Sequence, residues 1–456
     1  MPRSTCIIGA GISGLAMAWQ LQRHGQPCTV LEQSARAGGA LLSQRTGDYL
    51  AEGGPHSMLI NNAAIEDLLY SIPGLEAAMI EAKPEAKKRF IVRGGQPHAV
   101  PTGLRSALAT PLWSGAAKLR LLAEPLIRAA PAQGEESVAD FVRRRLGDEL
   151  YRYALNPLVG GIYAGDPEQL SIAHAFPKLH ALEQDHGGLL RGALAKRMAA
   201  RKQPGAKVRK RIISFQNGMA ELPHKLAAAL GGALHTGVRL QSLRQTAGQW
   251  TVSWAQNGAP LSTRCFDQLI VSVPAHRLAQ LPFAPPLQSA LSALGAIDYP
   301  PVSVLSLGFS RQQVAHPLDG FGMLVPQCER RNILGVLFPS SLFAHRAPPG
   351  AVLLSVFVGG ARQPQCATPD TEQLLARVLP ELQQLLGVSG TPSFVHHQHW
   401  DKAIPQYTLG YAQHLTRIEQ LERQHPGLQL AGNYRTGISL TNCLEAALAA
   451  TAPAAQ

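Results

Sequence analysis

The sequence predicts an α/β protein whose N-terminal part is a Rossmann-like, dinucleotide-binding domain. An apolar strand at Thr5–Ile8 leads through a glycine-rich turn into an amphipathic helix, and a second strand at Cys28–Leu31 ends on Glu32. Strand, turn, helix and strand in this order form a βαβ unit with parallel strands. Because 456 residues exceed what one core usually holds, we expect further domains.

The turn between the first strand and its helix has the Gly-x-Gly-x-x-Gly spacing. Gly9 permits the tight turn, Gly11 lets a diphosphate approach the backbone, and Gly14 lets helix and strand pack closely. The helix N-terminus offers N–H groups and a positive dipole end to the diphosphate. Glu32 would accept hydrogen bonds from ribose hydroxyls. The predicted cofactor contacts of this unit are Gly9, Gly11, Ile12, Ser13, Gly14, Glu32 and Gln33.

Two further glycine segments favour FAD over NAD. Glu32 opens an ExxxRxGG extension that is found in large two-domain flavoproteins. Its glycines would bring backbone against the ribityl chain or diphosphate, and its arginine could neutralise phosphate charge. A second turn follows, which we place near the isoalloxazine ring. The predicted contacts of the two segments are Arg36, Gly38, Gly39, Gly53, Gly54, Pro55 and His56.

The C-terminal residues are predicted to return to the cofactor as a strand, a glycine turn and an alanine-rich helix. The helix N-terminus would face the flavin edge that gains negative charge on reduction. Backbone near Val238, in the middle of the chain, is a candidate adenine contact, so the flavin domain is discontinuous. The predicted contacts of the C-terminal turn are Gly432, Gly437, Ile438, Ser439 and Leu440.

Composition excludes several other classes of protein. The net charge of +12 favours acidic partners, but the basic residues are dispersed without an aromatic-basic pattern, so we expect no nucleic acid. The six cysteines are scattered without a CxxC pair, which indicates neither a zinc site nor a disulfide framework. His396, His397 and His399 alternate on a predicted strand and are interpreted as exposed or satisfied histidines, so no metal site is predicted. No apolar run is long enough to span a membrane.

Segments along nearly the whole chain resemble one family, the FAD- and oxygen-dependent protoporphyrinogen oxidases. Residues 320–326 (GFGMLVP) and 404–410 (IPQYTLG) are more specific to it than any glycine pattern. The other segments that carry the resemblance are 89–90, 101–104, 145–147, 161–166, 170–172 and 432–443.

The resemblance implies a reaction and a fold. Protoporphyrinogen IX would lose six electrons in three cycles of non-covalent FAD, and O2 would reoxidise the flavin to give hydrogen peroxide. The implied fold is that of the amine oxidases, with an FAD domain, a substrate domain over a mixed sheet and a helical insertion that sits on a membrane. By match to the family, Arg89 would pair with a propionate, Gly322 would let the ring approach the backbone, and Leu324, Leu337 and Phe357 would pack on the macrocycle.

These elements predict five segments. The FAD domain would comprise residues 1–88, 204–285 and 426–456, the helical insertion 89–203 and the substrate domain 286–425. In the insertion, Leu112 and Trp113 stand near Lys118, Arg120 and Arg128, a mixture that suits a helix on anionic lipid. We therefore expect a peripheral protein on the cytoplasmic face of the inner membrane.

Several alternatives remain open. The substrate could be coproporphyrinogen III, which carries four propionates, and the positive charge suits either porphyrinogen. A flavin amine oxidase or a desaturase would share the fold, and Cys443 would be the candidate for a covalent flavin link. A non-catalytic tetrapyrrole carrier is the alternative from another class. No catalytic acid or base is assigned, because hydride transfer to a flavin needs little of either. A homodimer and hand-off of product to a chelatase are further expectations.

Overall fold

The computed structural model describes residues 3–129, 134–202, 208–256 and 259–452. It confirms the α/β class. The predicted domain boundary between residues 203 and 204, the last residue of a helix predicted over 114–130, and the C-terminal end at 453–456 lie outside the described residues.

The strands belong to two large sheets and three small ones. In chain order they are β1 (Thr5–Ile8), β2 (Cys28–Leu31), β3 (Ser43–Thr46), β4 (Tyr49–Glu52), β5 (Met58–Ile60), β6 (Met79–Glu81), β7 (Lys88–Arg93), β8 (Gln96–Ala99), β9 (Arg211–Phe215), β10 (Leu234–His235), β11 (Val238–Thr246), β12 (Gln249–Gln256), β13 (Ser262–Phe266), β14 (Gln268–Val271), β15 (Val302–Ser310), β16 (Gly320–Leu324), β17 (Gly335–Leu337), β18 (Ala351–Gly359), β19 (Phe394–Trp400) and β20 (Leu428–Leu430).

The helices cover the sheets and form the insertion. They are α1 (Ile12–Arg23), α2 (Ala63–Ser71), α3 (Leu104–Ala109), α4 (Gly115–Leu122), α5 (Val138–Leu146), α6 (Asp148–Leu150), α7 (Asn156–Tyr163), α8 (Ile172–Ala175), α9 (Pro177–His186), α10 (Leu189–Lys202), α11 (Glu221–Leu230), α12 (Pro285–Ser292), α13 (Pro339–Leu342), α14 (Thr371–Leu386), α15 (Ala412–Gln424), α16 (Asn433–Thr436) and α17 (Leu440–Ala450).

The first large sheet is parallel and has the strand order β10-β2-β1-β14-β20. Its strands come from three separate stretches of the chain. β1 is fully buried because it is covered on both faces. Ile7 packs in the cluster that contains helices α1 and α17, whereas Cys6 and Ile8 pack in the cluster on the other side. Continuous apolar strands of this kind are typical of a parallel sheet between layers.

The second large sheet is mixed and has the order β19-β15-β18-β17-β16-β7-β8. Helix α14 packs on one face, where Leu374, Val378 and Leu382 meet Leu305 and Val356. The other face of this sheet is directed toward the flavin sheet and the helical insertion. Alternate residues of β7, β15, β16, β17 and β18 pack in the cluster with α14, so these strands present their remaining side chains to the opposite face.

The predicted insertion at 89–203 begins differently from expectation. Residues 88–99 form β7 and β8, and β7 pairs in parallel with β16. This part of the segment therefore belongs to the second sheet, because Phe90 and Val92 join its core. The helices begin only at Leu104.

The insertion is held together by buried charges. Arg145 and Glu124 are both fully buried, with 2.6 Å between guanidinium and carboxylate, and Glu183 lies 3.3 Å from Arg145. Arg144 also binds Glu183, at 2.8 Å. Burying a charge is costly unless it is paired, so losing one partner would destabilise this core. Between α6 and α7, Tyr151–Leu155 forms a π-helical turn. Among the described residues, no helix is long and apolar enough to cross a bilayer.

Candidate flavin and substrate site

The first glycine turn has the backbone geometry that dinucleotide binding requires. Gly9 has φ of +100°, and a Cβ on Gly14 would lie 2.1 Å from the Gly9 carbonyl oxygen. Around Gly11, by contrast, a Cβ would meet nothing within 4 Å. Helix α1 begins after Gly11 without a side-chain cap, while Ile12 and Ser13 are buried in its first turn. The N–H groups of this turn therefore face an open surface that suits a diphosphate.

Glu32 lies at the end of β2, beside this turn. Its carboxylate accepts hydrogen bonds from the N–H groups of Ala10 (2.7 Å) and Ser34 (2.8 Å). The N–H of Val238 donates to the Glu32 carbonyl at 2.9 Å, which places both residues at one edge of the sheet. Gln33 is exposed. Each carboxylate oxygen keeps a second lone pair, so a ribose contact remains compatible with these bonds.

The ExxxRxGG segment packs directly against the first turn. The Gly38 N–H donates to the Ala10 carbonyl at 2.8 Å, and a Cβ on Gly39 would lie 3.3 Å from the Gly11 Cα. Arg36 is exposed, and its guanidinium donates to the carbonyl of Gly39 at 2.8 Å. This arginine therefore holds the shape of the double-glycine loop. Its predicted contact with phosphate stays a prediction.

The second glycine turn connects the two large sheets. A Cβ on Gly54 would lie 2.1 Å from the Ala40 carbonyl oxygen, and the Gly53 N–H donates to Leu42 at 2.7 Å. Trp400, at the end of β19, donates its indole N–H to the Gly53 carbonyl at 2.7 Å. Pro55 follows this turn and is half-buried. The turn is thus fixed between the flavin sheet and the open face of the second sheet.

The region around these turns contains buried polar atoms, in His56 and Ser272, that are available for further hydrogen bonds. Nε2 of His56 and the hydroxyl of Ser272 are buried and have no hydrogen-bond partner among the described residues. Burial lowers the pKa of His56 to about 4, so the ring is neutral. Its centroid lies 5.5 Å from that of Phe357. Buried polar atoms normally find a partner, and a bound polar cofactor beside the turns would supply one.

A buried carboxyl that sequence reasoning missed precedes the second turn. Glu52 accepts hydrogen bonds from the Ser43 hydroxyl (2.5 Å) and the Met219 N–H (2.9 Å). Burial raises its pKa to about 7, while the hydrogen bonds and nearby Arg346 oppose that rise. Burial in turn lowers the pKa of Arg346 to about 10. The only signal in the sequence was an acidic residue next to Gly53, which does not reveal burial.

The C-terminal turn is held by tyrosines that were also missed. The Tyr407 hydroxyl accepts from the Gly437 N–H at 2.9 Å and donates to the Asn433 carbonyl. Tyr411 donates to the carbonyl of Tyr434 at 2.5 Å. Tyr407 lies within the segment 404–410, so its family-specific sequence had flagged the position without indicating its role. The segment also pairs with Leu170 and Ser171, which links the helical insertion to the turn.

The predicted contacts of the C-terminal turn occupy the start of helix α17. Gly432 and Gly437 have φ of +143° and +124°, a region that favours glycine. Ser439 is the N-cap of α17 and accepts from the Asn442 N–H at 3.1 Å, while Ile438 is half-buried and Leu440 is buried. Because α17 packs along α1, its N-terminus lies on the side of the sheet where the dinucleotide turn begins.

Cys443 lies in the first turns of α17. It is buried, its thiol donates to the Gly437 carbonyl at 3.7 Å, and burial raises its pKa to about 11. A thiol must lose its proton to act as a nucleophile. The environment therefore disfavours a covalent link between this cysteine and a flavin.

The five predicted substrate residues share one face of the second sheet. Strand pairing aligns Arg89, Gly322 and Leu337 in one row across β7, β16 and β17. A neighbouring row aligns Leu324 with Gly335 and Phe357. Paired residues point to the same side, and the opposite side is the one covered by α14. The structure thus brings these residues together on the face that meets the second glycine turn.

Within this face, Arg89 is exposed, and its guanidinium lies 5.3 Å from the centroid of Phe321. It forms no ion pair with any described residue. Leu324, Leu337 and Phe357 are half-buried, and a Cβ on Gly322 would lie 2.4 Å from the Val336 carbonyl oxygen. A half-buried apolar wall with one available cation suits a flat, apolar ligand that carries a carboxylate.

The three histidines of β19 are divided between the two faces. His396 pairs with Ser306 on the substrate face, and burial lowers its pKa. His397 and His399 point the other way, where their Nδ1 atoms lie 3.0 Å from the Thr371 hydroxyl and 2.9 Å from the Ser303 hydroxyl. Across the described parts of the chain, no three histidine, cysteine or acidic side chains come together as metal ligands would.

Comparison with known proteins gives this geometry a family. Residues 12–452 match the family of flavin-containing amine oxidoreductases. Protoporphyrinogen oxidase 2 of Arabidopsis thaliana is 32% identical over 96% of this chain and 91% of its own length. Coproporphyrinogen III oxidase of Bacillus subtilis is 26% identical over 98% and 97% of the two chains.

A solved structure has the same fold. It comes from Exiguobacterium, carries a provisional protoporphyrinogen oxidase name, and aligns with a TM-score of 0.79 and 24% identity over 99% of this chain and 98% of its own. The glycine turns, the unpartnered polar atoms beside them and the uncapped helix N-terminus fit FAD. The chain belongs to the protoporphyrinogen oxidase family of flavin-containing amine oxidoreductases, and FAD is its cofactor.

Proposed function

We propose that the protein oxidises protoporphyrinogen IX to protoporphyrin IX in heme biosynthesis. The substrate loses six electrons and six protons, and three O2 become three H2O2. The observation that carries this proposal is the substrate face, where an unpaired arginine shares one side of the sheet with an apolar wall that meets the second glycine turn at Phe357. The similarity to plant protoporphyrinogen oxidases over nearly the whole chain supports it.

The residues of the site would bind and orient the substrate rather than exchange protons with it. FAD, when bound, accepts hydride from a carbon of the substrate and is reoxidised by oxygen. The Arg89 guanidinium would hold a propionate, because its planar donors match a carboxylate. Leu324, Leu337 and Phe357 would exclude water from the ring. His56 is neutral, so it adds no positive charge to the site. Hydride transfer to a flavin needs little acid or base catalysis, and no other residue is assigned such a role.

The test is aerobic incubation of the holoenzyme with protoporphyrinogen IX. We expect porphyrin fluorescence and peroxide to appear faster than in buffer and faster than with heat-denatured protein. Tight binding of porphyrin without either product would instead support a non-catalytic carrier. Flavin that remained on the unfolded chain would contradict non-covalent FAD and would support an amine-oxidase type of attachment.

Coproporphyrinogen III is the second candidate substrate. The similarity to the Bacillus subtilis enzyme favours this substrate, and the net charge of +12 suits either porphyrinogen. Parallel steady-state kinetics on the two porphyrinogens would decide between them. A higher kcat/KM for the tetra-acid would reverse our assignment of the preferred substrate.

The helical insertion would place the protein on an anionic membrane surface, at the cytoplasmic face of the inner membrane. Leu119, Leu122 and Leu126 are 69–83% exposed on α4 and the turn after it, and Leu108 lies nearby in sequence with 71% exposure. Exposed apolar groups of this size indicate contact with lipid or protein. Arg128 is also exposed.

Three other residues that were predicted to belong to the lipid-binding surface make contacts within the protein instead. Lys118 and Arg120 donate to backbone carbonyls of Thr110 (2.9 Å) and Arg144 (2.6 Å), and Leu112 is fully buried. The hydrogen bonds of Lys118 and Arg120 hold α4 on the insertion and occupy the polar ends of both side chains. The exposed leucines therefore support lipid binding better than the basic residues of α4 do.

Flotation with phosphatidylglycerol vesicles tests this surface. Replacing Leu119, Leu122 and Leu126 with serine should reduce the bound fraction several-fold. Leu261→Ser is the matched control, since Leu261 is 61% exposed and lies outside the insertion. Equal binding by the triple variant and the wild type would contradict the proposed surface.

A further inference from the structure

A small cavity adjoins the substrate face at the ends of β16 and β17. Its volume is about 60 Å³, and Val325, Leu334 and Gln327 contribute to its wall. The cavity lies next to the row that contains Phe357, because Leu334 precedes Gly335 and packs in the same cluster as Phe357, whereas Val325 packs on the α14 side of the sheet. A space of this size holds a few water molecules or one carboxylate group.

Two arginines line this cavity, and they differ in whether an acidic side chain forms an ion pair with them. Arg331 forms an ion pair with Glu381 at 2.7 Å. Arg362 instead donates to two neutral amides, to Asn156 at 2.8 Å and to Gln327 at 3.3 Å. It forms no ion pair with any described residue, and burial lowers the pKa of its guanidinium. Asp166 offsets part of this charge without forming an ion pair. A partly buried cation without an ion-pair partner is costly to keep, which indicates that an anion reaches it.

Arg362 also lies close to the predicted macrocycle site. A Cβ on Gly160 would lie 2.9 Å from its guanidinium nitrogen, and a Cβ on the next residue, Gly161, would lie 2.4 Å from the Leu324 side chain. The two consecutive glycines of α7 therefore let the helix approach both Arg362 and Leu324. Helix α7 therefore contacts both the cavity arginine and a residue of the substrate face.

The separation of the two available arginines indicates which carboxylate Arg362 would bind. Arg89 pairs with Gly322, and the cavity begins three residues further along the chain, at Val325. Those two positions on β16 are about 10 Å apart at 3.3 Å per residue. Arg89 itself lies on β7 and Arg362 follows β18, so the two arginines flank the substrate residues of β16 and β17. One ring could therefore reach Arg89 with a carboxylate on one edge and Arg362 with a carboxylate on the opposite edge.

We propose that Arg362 binds a carboxylate on the edge of the tetrapyrrole opposite to the one held by Arg89. Protoporphyrinogen IX carries its two propionates on neighbouring rings, at one edge, whereas coproporphyrinogen III carries propionates at both edges. Arg362 is thus a specificity-determining residue that favours the tetra-acid. This inference rests on the proposed function, since it assumes a porphyrinogen on the substrate face.

The test compares Arg362→Gln with the wild-type holoenzyme on both porphyrinogens and on both porphyrin products. A charge-assisted contact contributes enough for a loss of roughly tenfold to a hundredfold. We expect Arg362→Gln to raise the KM for coproporphyrinogen III and the Kd for coproporphyrin III by that factor, with less than about threefold change for the protoporphyrin pair. Arg330→Gln removes a neighbouring exposed arginine and should change neither.

Asn156→Asp is a second variant that keeps Arg362 in place. Its new carboxylate would accept the existing hydrogen bonds from Arg362 and the Gln327 N–H and would neutralise the cation, as Glu381 does for Arg331. It should weaken coproporphyrin III binding as Arg362→Gln does. Equal losses on both porphyrins, no loss, or a wild type that does not bind coproporphyrin III would overturn the inference. A protein that binds the porphyrins with the expected pattern but oxidises neither porphyrinogen would refute the proposed function alone.

Discussion

The flavin turns and the substrate face meet at Gly53 and Trp400, yet they present different parts of the chain to a ligand. At the turns the binding surface is main chain, and Gly9, Gly14 and Gly54 are required because neighbouring carbonyl oxygens leave no room for a Cβ. At the substrate face the surface is made of side chains from β7, β16, β17 and β18, which strand pairing aligns. A backbone site tolerates almost no substitution, whereas a side-chain site can change its specificity one residue at a time.

The largest expected effect is at Gly14. A Cβ there would lie 2.1 Å from the Gly9 carbonyl oxygen, so Gly14→Ala should separate α1 from β1, lower the free energy of unfolding by about 3 kcal/mol and abolish FAD binding. Urea denaturation and flavin absorbance measure both effects. Gly11→Ala is the matched control, because its Cβ would meet no protein atom within 4 Å. That variant should fold normally and lose FAD affinity only. Equal unfolding of both variants would contradict the proposed division of roles.

Glu52 directly precedes Gly53, where the two regions meet, and should make stability depend on pH. Its pKa is raised from 4.5 to about 7 in the folded protein, so the folded state holds this proton more tightly than the unfolded state. The stabilisation is complete below pH 4.5 and is lost as the pH rises to 7, by up to about 3 kcal/mol.

Glu52→Gln should remove that part of the slope between pH 5 and pH 8, as measured by chemical denaturation at several pH values. Glu85→Gln changes an exposed carboxyl and serves as the control, which should retain the wild-type slope. An unchanged slope in Glu52→Gln would show that another group is responsible.

A substitution of Arg89 tests whether side chains of the substrate face bind the substrate. Arg89→Gln should raise the KM for protoporphyrinogen IX roughly tenfold to a hundredfold while kcat and FAD content change little, because only a substrate contact is lost. Lys87→Gln, which removes an exposed charge nearby, should leave KM unchanged. A fall in kcat without a change in KM would place Arg89 outside the substrate contacts.

The smallest expected effect is at Tyr407. Tyr407→Phe removes the acceptor for the Gly437 N–H and the donor to the Asn433 carbonyl. Two lost hydrogen bonds should cost about 1–2 kcal/mol of stability, and the looser C-terminal turn should release FAD at lower urea concentration. Flavin fluorescence follows this release. Tyr70→Phe, at an exposed tyrosine, is the control. Identical release curves for wild type and Tyr407→Phe would contradict a role for this hydroxyl in holding the turn.

Much of the fold could be predicted from the sequence wherever local pattern decides it. β1 and β2 have the predicted bounds, because short apolar runs next to a glycine turn or an acid define them.

Other features were beyond sequence reasoning for a physical reason. β7 and β8 were assigned to the helical insertion because nothing local reveals that β7 pairs with β16, more than 200 residues away. Glu52 and Tyr407 carry ordinary local signals, and only burial by distant segments gives them their roles. Arg362 carries no distinctive local signal, since the lack of an ion-pair partner is visible only once its neighbours are known.

The sequence by itself determined the α/β class, the glycine turns and the resemblance to a family, because a glycine next to a strand constrains the backbone within a few residues. The tertiary structure alone decided which side chains share the substrate face. It also decided that Glu52 is buried and that only one of the two arginines at the cavity forms an ion pair. Those properties depend on contacts between residues far apart in the chain, and they exist only after the sheets have formed.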